Sequence, residues 1–221
     1  MTIPIYVGYD EREAVAYSVF CHSVMSRTKE SVAFYPMRNG KLEGSTTFNA
    51  QRFEVAREMN YTGWAIWADG DMLCRADIAE LMDYADTSYD VLVARHDYKT
   101  KHPVKFLGQP NADYPRKNWS SLMLINCANA SWRRLHGGPA YTLADMHRFK
   151  FIEDKRVGSL PIEWNWLVSE YDYNPDAKLV HYTVGTPCWE EYADCDYADE
   201  WHDERALMLN FAPSAGQRMA A

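Results

Sequence analysis

Apolar and polar positions alternate along residues 3–10, "IPIYVGYD", and the apolar side stops at Asp10. The pattern predicts a short strand that ends on a carboxylate. Behind it, "EREAVAYSVFCHSVMSR" (11–27) sets Ala14, Tyr17 and Val24 at helical spacing after a charged front, so the strand passes into a helix. A loop rich in Gly, Asn and Ser follows at 39–47, then a second helix over "FNAQRFEVAREM" (48–59). The strand "WAIWA" (64–68), a helix over about 76–84 and the strand "DVLVA" (90–94) continue the alternation.

Residues 95–118 break the rhythm. They are polar, contain prolines and hold a local cluster of positive charge, which predicts a long functional loop with room for an edge strand. "SSLMLIN" (120–126) resumes as a buried strand, a helical region covers 129–148, and "KLVHY" (178–182) is a further strand ahead of an acidic, aromatic stretch from Trp189. The last residues, "APSAGQRMAA", are expected to fray. Strands alternating with helices predict an α/β fold, a mostly parallel central sheet of Rossmann-like kind flanked by helices. Ligands of such sheets gather at the carboxyl ends of the strands, where Asp10, Asp69 and Asp71 fall.

Composition narrows the function. The formal net charge of −8 over 221 residues gives no overall field for nucleic acid or an anionic membrane. No stretch approaches the roughly 20 apolar residues of a membrane span, so peripheral contact is the membrane association left open. Five cysteines without paired spacing, and a start without a basic then apolar run, predict a reduced, cytoplasmic protein. The 15 tyrosines and 8 tryptophans serve a core or a face that binds flat rings equally well; Trp164, Trp166 and Trp189 are candidates to stack on sugars.

The sharpest chemistry is Asp69-Gly70-Asp71 at the end of "WAIWA". Side chains at i and i+2 share one face of a strand, and the glycine lets the backbone turn between them. Two converging carboxylates repel each other unless a hard divalent cation sits between them. A helix cap with a solvated neighbour explains many Asp-x-Asp pairs. A calcium loop fails here because Leu73 and Cys74 stand where an oxygen ligand and a glycine belong. An aspartate-dependent phosphohydrolase and a nucleotide-sugar glycosyltransferase both use such a pair, and a non-catalytic carbohydrate-binding protein is a third reading. In the transferase, the cation bridges the acidic pair to a diphosphate and stabilises the leaving nucleotide. A further ligand, often an imidazole, would complete the site, and His181 at the end of a short apolar strand is the candidate.

These pieces together resemble the GT-A fold glycosyltransferases, in particular the family 8 retaining enzymes that include glycogenin and bacterial lipopolysaccharide galactosyl- and glucosyltransferases. The resemblance covers about residues 3–189 and implies a single GT-A domain over 1–210 with a flexible tail at 211–221. "YVGYD" resembles the family's first strand, which implies that Asp10 contacts the uracil, with Val7, Gly8 and Tyr9 lining the base pocket. "NAQRFEVAREM" implies that Arg52 lies near the donor and the acidic motif. "WAIWADGDMLCRADIAEL" resembles the metal strand and implies Asp69, Gly70 and Asp71 at the cofactor. "HYTVGTPCW" is similar to the His-x-x-Gly-x-x-Lys-Pro-Trp segment, which implies His181 as third ligand to Mn²⁺ or Mg²⁺ and Gly185 close to the phosphates.

The family's phosphate-gripping lysine is absent: the segment here is Gly185-Thr186-Pro187-Cys188-Trp189, with no lysine before the proline. Lys101, Lys105, Arg116 and Lys117 of the basic loop are the available substitutes. Asp145, twenty residues ahead of "WNW", matches a family aspartate on the sugar face opposite the leaving group, and Glu163 is an alternative carboxylate. The activity implied is metal-dependent transfer of a hexose from a UDP-sugar to a hydroxyl acceptor, a saccharide or glycolipid, with retention.

Overall fold

The computed structural model describes residues 2–38 and 46–210; most of the loop expected at 39–47, and the tail at 211–221, lie outside them. Strand β1 (Ile3–Gly8) runs into helix α1 (Ala14–Arg27) through a 3-10 turn at Glu11–Glu13. In chain order there follow β2 (Val32–Met37), α2 (Val55–Glu58), β3 (Trp64–Ala68), β4 (Met72–Cys74), β5 (Val91–Ala94), β6 (Val104–Lys105), β7 (Gln109–Pro110) and β8 (Leu122–Asn126). The remaining elements are α3 (Ala130–Gly137), α4 (Leu143–His147), β9 (Val157–Leu160), β10 (Trp166–Leu167), β11 (Leu179–His181) and α5 (Ala198–Met208).

The central sheet has the order β2-β1-β3-β8-β5-β9. Three of its five pairings are parallel, and β8 runs antiparallel to both neighbours. Helices cover both faces, so β3 is apolar on both sides. Ile66 and Ala68 pack with Ile5, Val7 and Phe20 of the α1 side, and Ala65 and Trp67 with Phe53, Trp132 and Phe151 of the other.

Several helices are shorter than the apolar pattern predicts. The segment 48–59 forms a 3-10 turn at Gln51–Phe53 and a single turn of α2, because Asn60 and Tyr61 take left-handed conformations that end it. The segment near 76–84 is 3-10 throughout, from Ile78 to Tyr84, capped by the Asp77 carboxylate accepting from Ala79 N at 2.9 Å. The region 129–148 is two helices, since Gly137-Gly138-Pro139 ends α3 and Thr142 starts α4 with a capping box.

Strands β2, β9 and β10 have no counterpart in the pattern, and neither do two further elements. One is α5, whose inward residues are Ala198, Trp201 and Glu204. Glu204 is docked on α1, where it accepts from Arg27 Nη1 at 2.7 Å and Ser26 Oγ at 3.1 Å and pairs with His22 Nδ1. The other is β4, only three residues long, which joins β10 and β11 in a small second sheet.

Candidate active site

The small sheet is what assembles the site. Directly after Asp69-Gly70-Asp71 the chain enters β4, which pairs antiparallel with β11 so that Met72 faces His181 in register. Tyr182 N donates to Asp71 O at 2.9 Å, and Asp69 N donates to Ser121 O at 2.9 Å. Gly70 is required by a close approach: a Cβ there would lie 2.4 Å from the carbonyl oxygen of Gly8. The ligand atoms of Asp69, Asp71 and His181 lie within 4.8 Å of one another.

Each of the three is held by neighbours. Asp69 is buried; it accepts from Trp67 Nε1 at 3.0 Å and stands 3.1 Å from Arg52 Nη2. Arg52 Nη1 donates to Ser120 O at 3.0 Å, and its guanidinium lies over the rings of Trp67 and Phe48. Burial, with the Asp71 charge added, pushes the Asp69 carboxyl above its usual range although Arg52 pulls it down. Burial would raise Asp71 too, but its close approach to His181 Nε2 at 3.3 Å, with the backbone and Lys105 adding to it, outweighs burial and holds the Asp71 carboxyl low.

Asn165 fixes the imidazole. Its Nδ2 donates to the Asn118 carbonyl at 3.2 Å and to Ser121 Oγ at 2.9 Å, so its Oδ1, 3.1 Å from His181 Nδ1, must accept. Nδ1 therefore carries a proton, and Nε2 points at Asp71 Oδ1, a buried oxygen with no aligned hydrogen-bond donor. When His181 is neutral, two lone pairs face each other at this point. A divalent cation between them removes the repulsion, and a histidine whose other nitrogen is hydrogen-bonded is the usual form of a metal ligand. The donor set fits such an ion.

The cluster lies in the wall of a cleft of about 540 Å³. Phe48, Asn49 and Arg52 close one side, Lys105 and Phe106 another, and His147 and Arg148 a third. His147 bonds Ser120 Oγ at 2.7 Å and Asn49 Oδ1 at 2.9 Å, and burial pushes its pKa down to about 3, so it is neutral. Glu13, also buried and with Oε1 lacking a hydrogen-bond partner, is pushed up to about 8 by burial first and the Asp71 charge second.

The other residues singled out from the sequence stand elsewhere. Val7, Gly8, Tyr9 and Asp10 are not in the cleft wall. Phe48 intervenes, since a Cβ on Gly8 would meet its ring at 2.5 Å. The Asp10 carboxylate accepts four hydrogen bonds, from Arg12 N, Nε and Nη2 and from Thr47 N. Gly185 packs against Tyr192, whose ring lies 2.2 Å from where a Cβ would be. Asp145 is outside the cleft wall and serves the α4 capping box, with Lys150 Nζ 2.6 Å away. Trp164 is buried in the core and Trp166 Nε1 donates to Asp172 O, so neither faces the cleft. Asn165, Tyr114, His147 and Arg148 belong to the site without having been singled out; the Asn inside "WNW" was the one signal.

No protein-family model matches the chain. Its fold is that of the GT-A glycosyltransferases. WbbM, a bifunctional glycosyltransferase, superposes with a TM-score of 0.66 at 13% identity over 95% of this chain, which spans 51% of that protein. The galactosyltransferase LgtC, solved with donor and acceptor sugar analogs, gives 0.64 at 13% identity and covers 96% of this chain and 98% of its own. In sequence the chain is 39% identical over 220 residues to Protein CDI of Arabidopsis thaliana, covering 90% of this chain and 85% of that protein. It belongs to the family of Protein CDI.

Proposed function

We propose that this chain is a metal-dependent glycosyltransferase that moves a hexose from a UDP-sugar to a hydroxyl on a saccharide or glycolipid, with retention of configuration. The observation that carries the reading is the convergence of Asp69, Asp71 and His181, with Asn165 turning the imidazole so that Nε2 meets the carboxylates. Mixed oxygen and nitrogen donors suit Mn²⁺ better than Mg²⁺. Bound there, the ion supplies Lewis-acid stabilisation of the departing nucleoside diphosphate.

The protein's own groups prepare that site. Arg52 offsets the charge of Asp69 and ties the acidic turn to the strand at Ser120. Asn165 holds the Nδ1 proton of His181, and the cleft beside the cluster has the volume of a small-molecule site. LgtC, whose structure holds donor and acceptor sugar analogs, shares the fold. Among the described residues no helix is long and apolar enough to cross a membrane, and the free thiols of Cys21, Cys74 and Cys127 in the core suit a reducing cytoplasm.

The test is release of UDP from a panel of UDP-sugars, with Mn²⁺ or with EDTA, beside phosphate release from a generic phosphate ester. UDP release that needs Mn²⁺ and falls at least about a hundredfold in Asp71→Asn and His181→Ala is expected, in line with the several kcal/mol a catalytic metal supplies. Metal-independent turnover, or phosphate release in its place, would overturn the reading.

A further inference from the structure

We propose that Lys105 is the cation that grips the donor diphosphate, delivered by the hairpin 104–110 rather than by the segment after His181. The inference rests on the glycosyltransferase reading and adds to it a binding residue from a different part of the chain. Four basic side chains of the long loop could replace the lysine missing from the segment 185–189, and three are engaged elsewhere. Lys117 Nζ donates to Thr100 Oγ1 and Asn111 Oδ1, both at 2.6 Å. Arg116 donates to Arg148 O and Asp154 Oδ1, both at 2.7 Å. Lys101 reaches Asp172 at 3.3 Å on the surface.

Among the described residues, Lys105 alone of the four lines the cleft with no hydrogen bond or ion pair to its ammonium; Nζ lies 5.7 Å from the centre of the Phe106 ring. The negative charges acting on it are those of Asp71 and then Asp69. An ammonium half withdrawn from water without a partner is costly, so the arrangement calls for an anion. Once a divalent ion balances Asp69 and Asp71, the charges of Arg52 and Lys105 leave a positive excess in the cleft that a diphosphate neutralises. A lysine suits this role as a compact point charge with three rotatable donors.

The backbone under Lys105 is fixed, which makes the placement specific. In the hairpin, Lys105 pairs with Gln109, and Leu107 and Gly108 close the turn in left-handed conformations at φ 54° and 69°. Phe106 is buried and its N–H donates to Val184 O at 2.7 Å, three residues beyond His181. The other end is tied by Asn111 N donating to Pro103 O at 2.8 Å. The hairpin is thereby fastened to the segment that follows β11, three residues from the His181 imidazole.

The experiment is calorimetric titration of Mn²⁺-loaded protein with UDP and with inorganic pyrophosphate, for wild type, Lys105→Met, Lys105→Arg and Lys101→Met. Mn²⁺ affinity is measured separately by electron paramagnetic resonance. Lys105→Met is expected to weaken both ligands about tenfold, about 1.4 kcal/mol, with neither Mn²⁺ affinity nor melting temperature lowered. Lys105→Arg recovers part of the loss, and Lys101→Met binds as wild type. Equal affinities in Lys105→Met and wild type would overturn the role of Lys105 and leave the glycosyltransferase reading standing. A loss that extends to Mn²⁺ alone would overturn it too, because the defect would then lie in the metal site. A wild-type protein that binds neither Mn²⁺ nor UDP removes the parent reading, and the role of Lys105 with it.

Discussion

Asn165 decides which nitrogen of His181 meets the carboxylates. Its amide cannot flip without setting Nδ2 against the imidazole N–H and Oδ1 against the Asn118 carbonyl. Asn165→Ala is therefore expected to lower Mn²⁺ affinity about 10- to 100-fold, the usual loss for a residue that orients a metal ligand; paramagnetic resonance of free Mn²⁺ measures it. Arg52 acts on the neighbouring ligand. Both partners of its ion pair with Asp69 are buried, so Arg52→Met strands a buried carboxylate at a cost of about 3 kcal/mol. Denaturant titration should show that loss in metal-free protein and a smaller one with Mn²⁺, which replaces the missing positive charge.

The acidic pair was legible only in company: alone Asp-x-Asp is commonly a helix cap beside a solvated neighbour, and it gained meaning from Asp10 and His181, each at the end of another apolar strand. Which polar side chain is left without a partner in the folded cleft is a tertiary fact. Lys105 and Lys117 look alike in sequence, and only the folded loop shows that Lys117 is held by Thr100 and Asn111. The same holds at Asp10, whose carboxylate is filled by Arg12 two residues on.

Among the elements, β3 and β5 followed from their apolar runs, whereas β4 is three residues long and exists because β11 pairs with it. That short pairing brings a histidine and an aspartate more than a hundred residues apart into one cluster, and no local periodicity announces it. The helix α5 was hidden for another reason: Glu204 occupies its inner face, which breaks the apolar stripe. The junction of β1 with the acidic turn depends on Gly70, where a methyl group would strike the backbone of Gly8. Gly70→Ala is expected to cost about 1–3 kcal/mol by forcing the two backbones apart, read as a lower midpoint in denaturant. Unchanged stability would mean that the turn relaxes freely.

For the molecule as a whole, buried titratable groups set opposite pH dependences. His96 and His147 are pushed down to about 3 by burial. As pH falls below about 6.5 the unfolded chain binds protons that the folded protein refuses, and stability declines toward pH 3. Glu13 is pushed up to about 8, so between about pH 4.5 and 8 the unfolded chain releases a proton that the folded one keeps, and stability declines as pH rises. The two histidines outweigh the single glutamate below about pH 6.5, so their sum places a maximum near that pH in metal-free protein. Glu13→Gln should remove the decline on the alkaline side, a change visible in melting temperatures taken from pH 6 to 8.

At this scale too, the α/β class and the mostly parallel sheet follow from alternating strand and helix patterns, while the reversal of β8 between β3 and β5 does not. It results from the long excursion at 95–121, which returns the chain to the site end of the sheet and carries Lys105 with it.

The proposed activity requires a nucleoside diphosphate held through a divalent ion at Asp69, Asp71 and His181. Thermal denaturation of the wild-type protein with UDP, in Mn²⁺ and in EDTA, tests this most directly, because a ligand that binds only the folded state must stabilise it. UDP at about a hundred times its dissociation constant should add about 2.7 kcal/mol in Mn²⁺ and nothing in EDTA. An absent shift in Mn²⁺, or an equal shift in EDTA, would contradict it.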